Sequence, residues 1–364
     1  MIDDLLIIND TGQLLFSWHP EGSPKENQDD LISGFFSALN TFATFERGED
    51  LKFLKLGESN IIFEKYEELH QKLIFIITTK NEKVIDLLHS FVHDIMDSFV
   101  EKFRKDLDKK FDGAVYMFWI FADSVNEILN NLGIDQLPKM IEEIDDSDII
   151  KAIAIIEPLE GKVLFIHAKQ YINKDDISFL IPLLINSGKR LYQNKELNSI
   201  LITSLNNENL IVELREGVVI VKFYDIIKKF NADYEAIEFI KNKKNIMKKQ
   251  KKLKPLLENI DWGPNIKNML ITDLLGTTLA SKVIGNTDMK LDNQTEIISF
   301  LSSSRKACEQ IYSRDLFISY IEGQNSSLLC INLDTCGLFF TLDAQNSRDF
   351  QEIQKLGLEL LKKI

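Results

Sequence analysis

The stretch IINDTGQLLFSW at 7–18 returns in the same grammar as IIEPLEGKVLFI at 155–166 and as ITDLLGTTLASK at 271–282. Each consists of two short apolar runs around a polar turn holding one glycine, Gly12, Gly161 or Gly276, which is the pattern of a β-hairpin. A helical stretch and three further short apolar runs follow each of them. This order constrains the chain more than any single residue does. A set of five strands with its helices can bury one face of a sheet by itself, so the repeats read as tandem domains and not as turns of a solenoid.

In the first set, strands are expected at about 4–9 and 13–18, then a helix within DDLISGFFSALNTFATF. Leu31, Phe35, Leu39 and Phe42 recur there at helical spacing as the core stripe, widened by Ile32, Phe36, Ala43 and Phe45. Asp29 or Asp30 fits the N-cap. The runs LKFLKLG, NIIFEKYE and KLIFIITTK are close enough to form an antiparallel meander, and a long helix over about 83–110 places Val84 through Phe103 on one face.

The second set reads IKAIAIIE, KVLFIHAK, the helix DDISFLIPLLINSGKRLY, then LNSILITS, NLIVELRE and GVVIVKFY. Pro182 predicts a helix start or kink. The third reads NMLITDL, TTLASKV, a helix in NQTEIISFLSSSRKACEQIY, then LFISYIEG, SLLCINLD, GLFFTLDA and a closing helix. The fold class expected is α+β: three modules at 1–132, 133–242 and 243–364, each a five-stranded antiparallel sheet flanked by helices. An extra helical stretch at 113–132 accounts for the longer first repeat.

A length of 364 residues supports two or three domains, and 45% hydrophobic with 27% charged residues is the composition of a globular chain. The net charge of −13 argues against a nucleic-acid partner, which would require a basic face. Cys308, Cys330 and Cys336 are an odd number confined to the last quarter, unlike a disulfide framework. MIDDLLIIND lacks the features of a signal peptide, and the expected location is cytoplasmic.

Motifs that carry chemistry are weak. SGKR at 187–190 follows a helical run and lacks the upstream glycine of a phosphate-binding loop. His89 and His93 share a helix face at a metal-binding spacing but have no evident third ligand, so helix-surface or core-edge histidines fit better and no metal or other cofactor is expected. Cys330 and Cys336 flank a tight turn and could meet across it, though buried thiols are the commoner outcome.

Two surface candidates remain. Phe35, Phe36, Phe42 and Phe45 spread over more than one face of the first helix, so one module's core cannot absorb them all, and they are candidates for a protein interface. The run KNKKNIMKKQKKLK carries Lys241, Lys243, Lys244, Lys248, Lys249, Lys251 and Lys252 with no acid, which suits an anionic membrane surface or an acidic partner, or else a solvated connection.

The first set, from LLIIND through QLLFSW and DDLISGFFSALNTF to LIFIITTK and KVIDLLHSFVHDIMDSF, resembles a longin domain. The second and third sets resemble longin or roadblock modules, and nearly the whole chain resembles a compact tri-longin subunit of the small-GTPase regulators. This resemblance implies a profilin-like α+β sheet in each module and a second longin or roadblock subunit, or a second copy, as dimer partner. It also implies guanine nucleotide exchange on a Ras/Rab-like GTPase without a conventional catalytic site. A scaffold that recruits GTPases or complex subunits to a membrane is the alternative. No fixed motif marks the family's GTPase contact, so none of its residues is carried over.

Overall fold

The structure is a computed structural model and describes residues 2–20, 29–69, 72–107, 115–192, 196–215, 217–225, 255, 257–262, 265–285, 294–333, 336–343 and 350–363. It is an α+β fold with two antiparallel sheets. The chain divides into two compact units, Met1–Met140 and Ile141–Ile364. Of the expected boundaries, 132/133 falls at the turn after a short helix, and 242/243 lies outside the described residues.

The first unit contains β1 (Asp4–Asn9), β2 (Leu14–Trp18), α1 (Asp29–Arg47), β3 (Phe53–Leu56), β4 (Ser59–Tyr66), β5 (Leu73–Thr79), α2 (Ile85–Leu107) and α3 (Ala122–Asn131). Its sheet order is β2-β1-β5-β4-β3. Alternation along β1 sends Leu6 and Ile8 to the face where Phe36 of α1 packs with Ile61, Phe63, Ile74 and Ile76. Ile7 lies opposite Phe16 and Phe75. Those two rings meet Phe99 of α2, which also touches Phe103, Phe118 and Phe121. The expected helical stretch at 113–132 resolves into a 3-10 turn, Tyr116–Phe121, followed by α3; Phe118 and Phe121 turn into this aromatic core.

Helix α4 (Leu137–Asp146) carries the chain onward. The second unit then contains β6 (Ile150–Ile156), β7 (Val163–Ala168), α5 (Lys174–Leu191), β8 (Leu197–Ser204), β9 (Glu208–Leu214) and β10 (Val219–Asp225). After them come β11 (Ile266–Asp273), β12 (Thr278–Val283), α6 (Gln294–Tyr312), β13 (Leu316–Gly323), β14 (Ser326–Asn332), β15 (Cys336–Asp343) and α7 (Phe350–Lys363). All ten strands form one sheet, in the order β12-β11-β15-β14-β13-β8-β9-β10-β6-β7. Each half repeats the strand order of the first unit, and the halves join through their third strands, β8 and β13.

The expectation of a separate sheet for each set therefore fails for the second and third, and burial explains why. Ile200, Leu201 and Ile202 are all buried, as are Phe317 and Ile318. Strands apolar on both faces belong in the interior of a sheet, where their backbone groups also find partners on both sides. Pairing is antiparallel and symmetric, with Leu197 opposite Gly323 and Ser204 opposite Leu316.

Reciprocal contacts reinforce this seam. Tyr192 at the end of α5 donates its hydroxyl to the Ser326 carbonyl at 2.7 Å, and Tyr312 at the end of α6 donates to the Asn209 carbonyl at 2.7 Å. Gln354 of α7 donates to Asn209 Oδ1 at 2.8 Å, joining a third-set helix to a second-set strand.

The same turn chemistry closes all three first hairpins. Asn9 Oδ1 accepts from the amides of Thr11 and Gln13, Glu157 from those of Leu159 and Glu160, and Asp273 from those of Leu275 and Thr277. Asn9 and Asp273 make Asx-type turns that pre-form their hairpins, and the longer Glu157 side chain does the equivalent with the amides two and three residues on.

Helix α5 does not start at Pro182. It begins at Lys174 behind an Asn173 cap and runs through the proline. The Ser187–Arg190 stretch is its last turn, with no strand before it, so the phosphate-loop geometry is absent there. None of the three cysteines forms a disulfide, and all three are buried. Cys330 and Cys336 belong to cores on opposite faces of the sheet. Burial pushes the Cys308 thiol up to about 12 and Cys330 higher still, which makes both poor nucleophiles.

Candidate interaction surface

Helix α1 is amphipathic in an inverted sense. Toward its sheet it places Phe36, 6% exposed, together with the polar Ser33 and Asn40, while Leu31 is 79%, Phe35 51%, Phe42 63% and Phe45 85% exposed. At about 100° per residue these four fall on one outward strip. The buried polar groups are satisfied: Ser33 Oγ donates to the Asp30 carbonyl at 2.9 Å, and Asn40 Oδ1 accepts from the Leu51 amide at 3.3 Å. The second of these bonds fixes the chain as it enters β3.

The four phenylalanine candidates therefore separate. Phe35, Phe42 and Phe45 lie on the outward strip, while Phe36 is a core residue whose ring meets Phe63 edge-on at 5.4 Å. The expected core stripe is also corrected, since Leu31, Phe35 and Phe42 face away from the sheet. Periodicity identifies a helix but is silent about rotation when two flanks are apolar, and here the flank with Ile32, Phe36, Leu39 and Ala43 is the one that packs.

At one edge of the sheet, β3 exposes Phe53 and Leu56. A second exposed group, Tyr116, Trp119 and Ile120, lies on the outer side of the 3-10 turn. Neither was picked out from the sequence. The lysine candidates 241, 243, 244, 248, 249, 251 and 252 lie outside the described residues.

A buried polar cluster anchors the start of α1. His19, 9% exposed at its side chain, has Nδ1 at 2.9 Å from Asp4 Oδ1 and Nε2 at 2.8 Å from Asp29 Oδ2. Asp29 thus engages the histidine at the end of the first hairpin. Burial opposes the charge on His19, but the hydrogen bonds and charges of Asp29 and Asp4 outweigh it and raise the pKa above 6.5.

Both ring nitrogens then donate, and the imidazolium ties β1, the end of the hairpin and α1 together. Because the folded pKa is raised, this stabilisation is complete below about pH 6.5 and is lost as pH rises through the folded value. A histidine proton-resonance titration is expected to show a His19 midpoint above 6.5, with the melting temperature of the chain falling across the same interval and His19→Gln abolishing that fall. A midpoint at or below 6.5 would contradict the paired imidazolium.

His89, by contrast, has Nδ1 at 3.2 Å from Glu64 of β4, and His93 is exposed. Among the described residues no three His, Cys, Asp or Glu side chains are arranged so that they could hold a metal ion, and no helix is long and apolar enough to cross a membrane. No family model matches the chain and no curated protein matches it.

Proposed function

We propose that this chain regulates a Ras/Rab-like small GTPase, as a subunit of a longin-type guanine nucleotide exchange factor built from three longin or roadblock-like modules. The observation that carries this reading is the outward strip of Leu31, Phe35, Phe42 and Phe45 on α1. A strip of this kind suits a macromolecular partner and not a small substrate. The threefold strand order supports the module assignment.

The mechanism is differential binding. A surface that holds the nucleotide-free GTPase more tightly than the loaded form speeds nucleotide loss, and needs no general acid, base or cofactor to do so. The lysine run at 241–252 provides a contact for anionic lipid that would place the complex on a cytoplasmic membrane face.

The test is release of a fluorescent guanine nucleotide from candidate GTPases in the presence of the chain. Faster release supports the exchange factor. A stable complex with unchanged release would sink that reading and leave the membrane scaffold.

A further inference from the structure

We infer that β2, which ends the first unit's sheet on the side away from β3, takes up an extended peptide segment of a partner protein whose side chains alternate between basic and apolar. None of the strip residues on α1 takes part. The inference therefore stands or falls apart from the GTPase reading.

Four strands end the two sheets, and β2 differs from the other three. Lys55 lies in β3, His167 in β7 and Lys282 in β12, and ionisable side chains on an end strand discourage pairing with another chain. Leu14–Trp18 reads LLFSW, with no ionisable residue and no proline. Among the described residues no strand pairs with its outer side. Beyond the bulge between Ile7 and Ile8, residues 16–18 keep a regular register with β1, so their outward backbone groups are spaced for a further strand.

A groove of about 690 Å³ runs along this edge. It is walled by residues 14–17 of β2, by Asp29 and Asp30 at the start of α1, and by Val115, Trp119 and Ala122 in and beside the 3-10 turn. Ser17 lies opposite Leu6, which packs on the α1 face of the sheet. Phe16 lies opposite Ile7 on the other face, its ring 5.5 Å from that of Phe121 in the 3-10 turn. The acidic wall and the aromatic wall thus stand on opposite faces. A strand laid against β2 sends alternate side chains toward one and the other.

Charge decides what the first row must be. Asp4 and Asp29 share the single imidazolium of His19, and Asp30 is exposed beside them, so this wall keeps an excess of negative charge. Asp29 is 5% exposed, and while its Oδ2 meets His19, its Oδ1 is buried with no hydrogen-bond partner. A carboxylate oxygen left in that state costs free energy that an incoming ammonium or guanidinium recovers. The second row meets the exposed Trp119 ring with Val115 and Ala122, which suits apolar side chains.

A labelled seven-residue peptide of alternating arginine and valine, blocked at both ends, is expected to bind the full-length chain with a Kd below about 100 μM by fluorescence anisotropy. Amide hydrogen exchange should slow in Leu14–Trp18 when it binds. Asp30→Lys and Trp119→Ala, both at exposed positions, are each expected to weaken binding more than about tenfold with circular dichroism unchanged. Tyr171→Ala, which removes an exposed ring from the second unit, serves as the control and should leave binding as it was.

No binding of the arginine–valine peptide would overturn the inference, as would equal binding of a peptide with glutamate in place of arginine. Binding that leaves exchange in β2 unchanged, or that survives both Asp30→Lys and Trp119→Ala, would reduce the contact to non-specific charge attraction and overturn it as well.

Discussion

Replacing Phe99 by alanine is expected to destabilise the first unit by about 3–5 kcal/mol, the cost of removing a large ring from a core that cannot collapse around the gap. Phe99 is fully buried. Its ring lies 5.0 Å from those of Phe103 and Phe121, 5.4 Å from Phe118, 6.0 Å from Phe75 and 6.4 Å from Phe16. These neighbours come from a hairpin strand, an inner strand, α2 itself and the 3-10 turn, so no single element can move into the space. Geometry adds to the loss, because edge-to-face pairs of this kind contribute about 0.5–1.5 kcal/mol beyond area burial.

Denaturant titration read by amide exchange separates the two units. Protection should fall across β1, β5 and α2 while β8 and β13 keep theirs. A loss below about 1 kcal/mol would place Phe99 at a surface and not in a core.

Gly161→Ala is expected to cost the second unit a similar amount, about 3–5 kcal/mol, for a different reason. Gly161 has φ +74°, which side chains tolerate poorly, and a Cβ there would stand 2.2 Å from the Ser178 carbonyl oxygen and 2.7 Å from Pro182 Cγ. Proline at 182 has no N–H for the Ser178 carbonyl four residues before it, so the helix leaves that oxygen without its usual donor. The hairpin backbone closes over this spot, and only a hydrogen fits between them.

Gly12→Ala makes an informative comparison. Its Cβ would meet Ser37 Cβ and Oγ at 2.8 Å; the Oγ can rotate away, but the Cβ moves only with α1, and φ is +83°, so a cost of about 2–3 kcal/mol is expected. Equal effects at the two positions would show that the backbone conformation alone matters. A larger effect at Gly161, measured by the same exchange experiment on amides of β6, β7 and α5, would confirm the close approach.

The sequence speaks clearly about local order and poorly about what meets what. Every strand of the three sets could be read from short apolar runs between polar turns, and Gly12, Gly161 and Gly276 marked the hairpins correctly, because turns and alternation are local properties. The face of α1 was misread because it offers two apolar flanks, and the sheet accepts the one that brings Ser33 and Asn40 with it.

The joint between β8 and β13 links residues more than a hundred positions apart, and no local pattern specifies such a pairing. A trace was nevertheless present. LNSILITS and LFISYIEG carry their apolar residues on both faces with little charge, while the equivalent LKFLKLG places lysines at intervals, as an edge strand does. The His19 cluster left no trace, since Asp4, His19 and Asp29 come together only once the hairpin and helix are folded.

The central claim is that this chain acts through surfaces on a GTPase, and nucleotide release tests it most directly. With the chain in excess over a candidate GTPase loaded with fluorescent GDP, release is expected to accelerate at least tenfold, which corresponds to lowering the release barrier by about 1.4 kcal/mol. Release at the intrinsic rate, together with equal affinity for loaded and nucleotide-free GTPase, would contradict it.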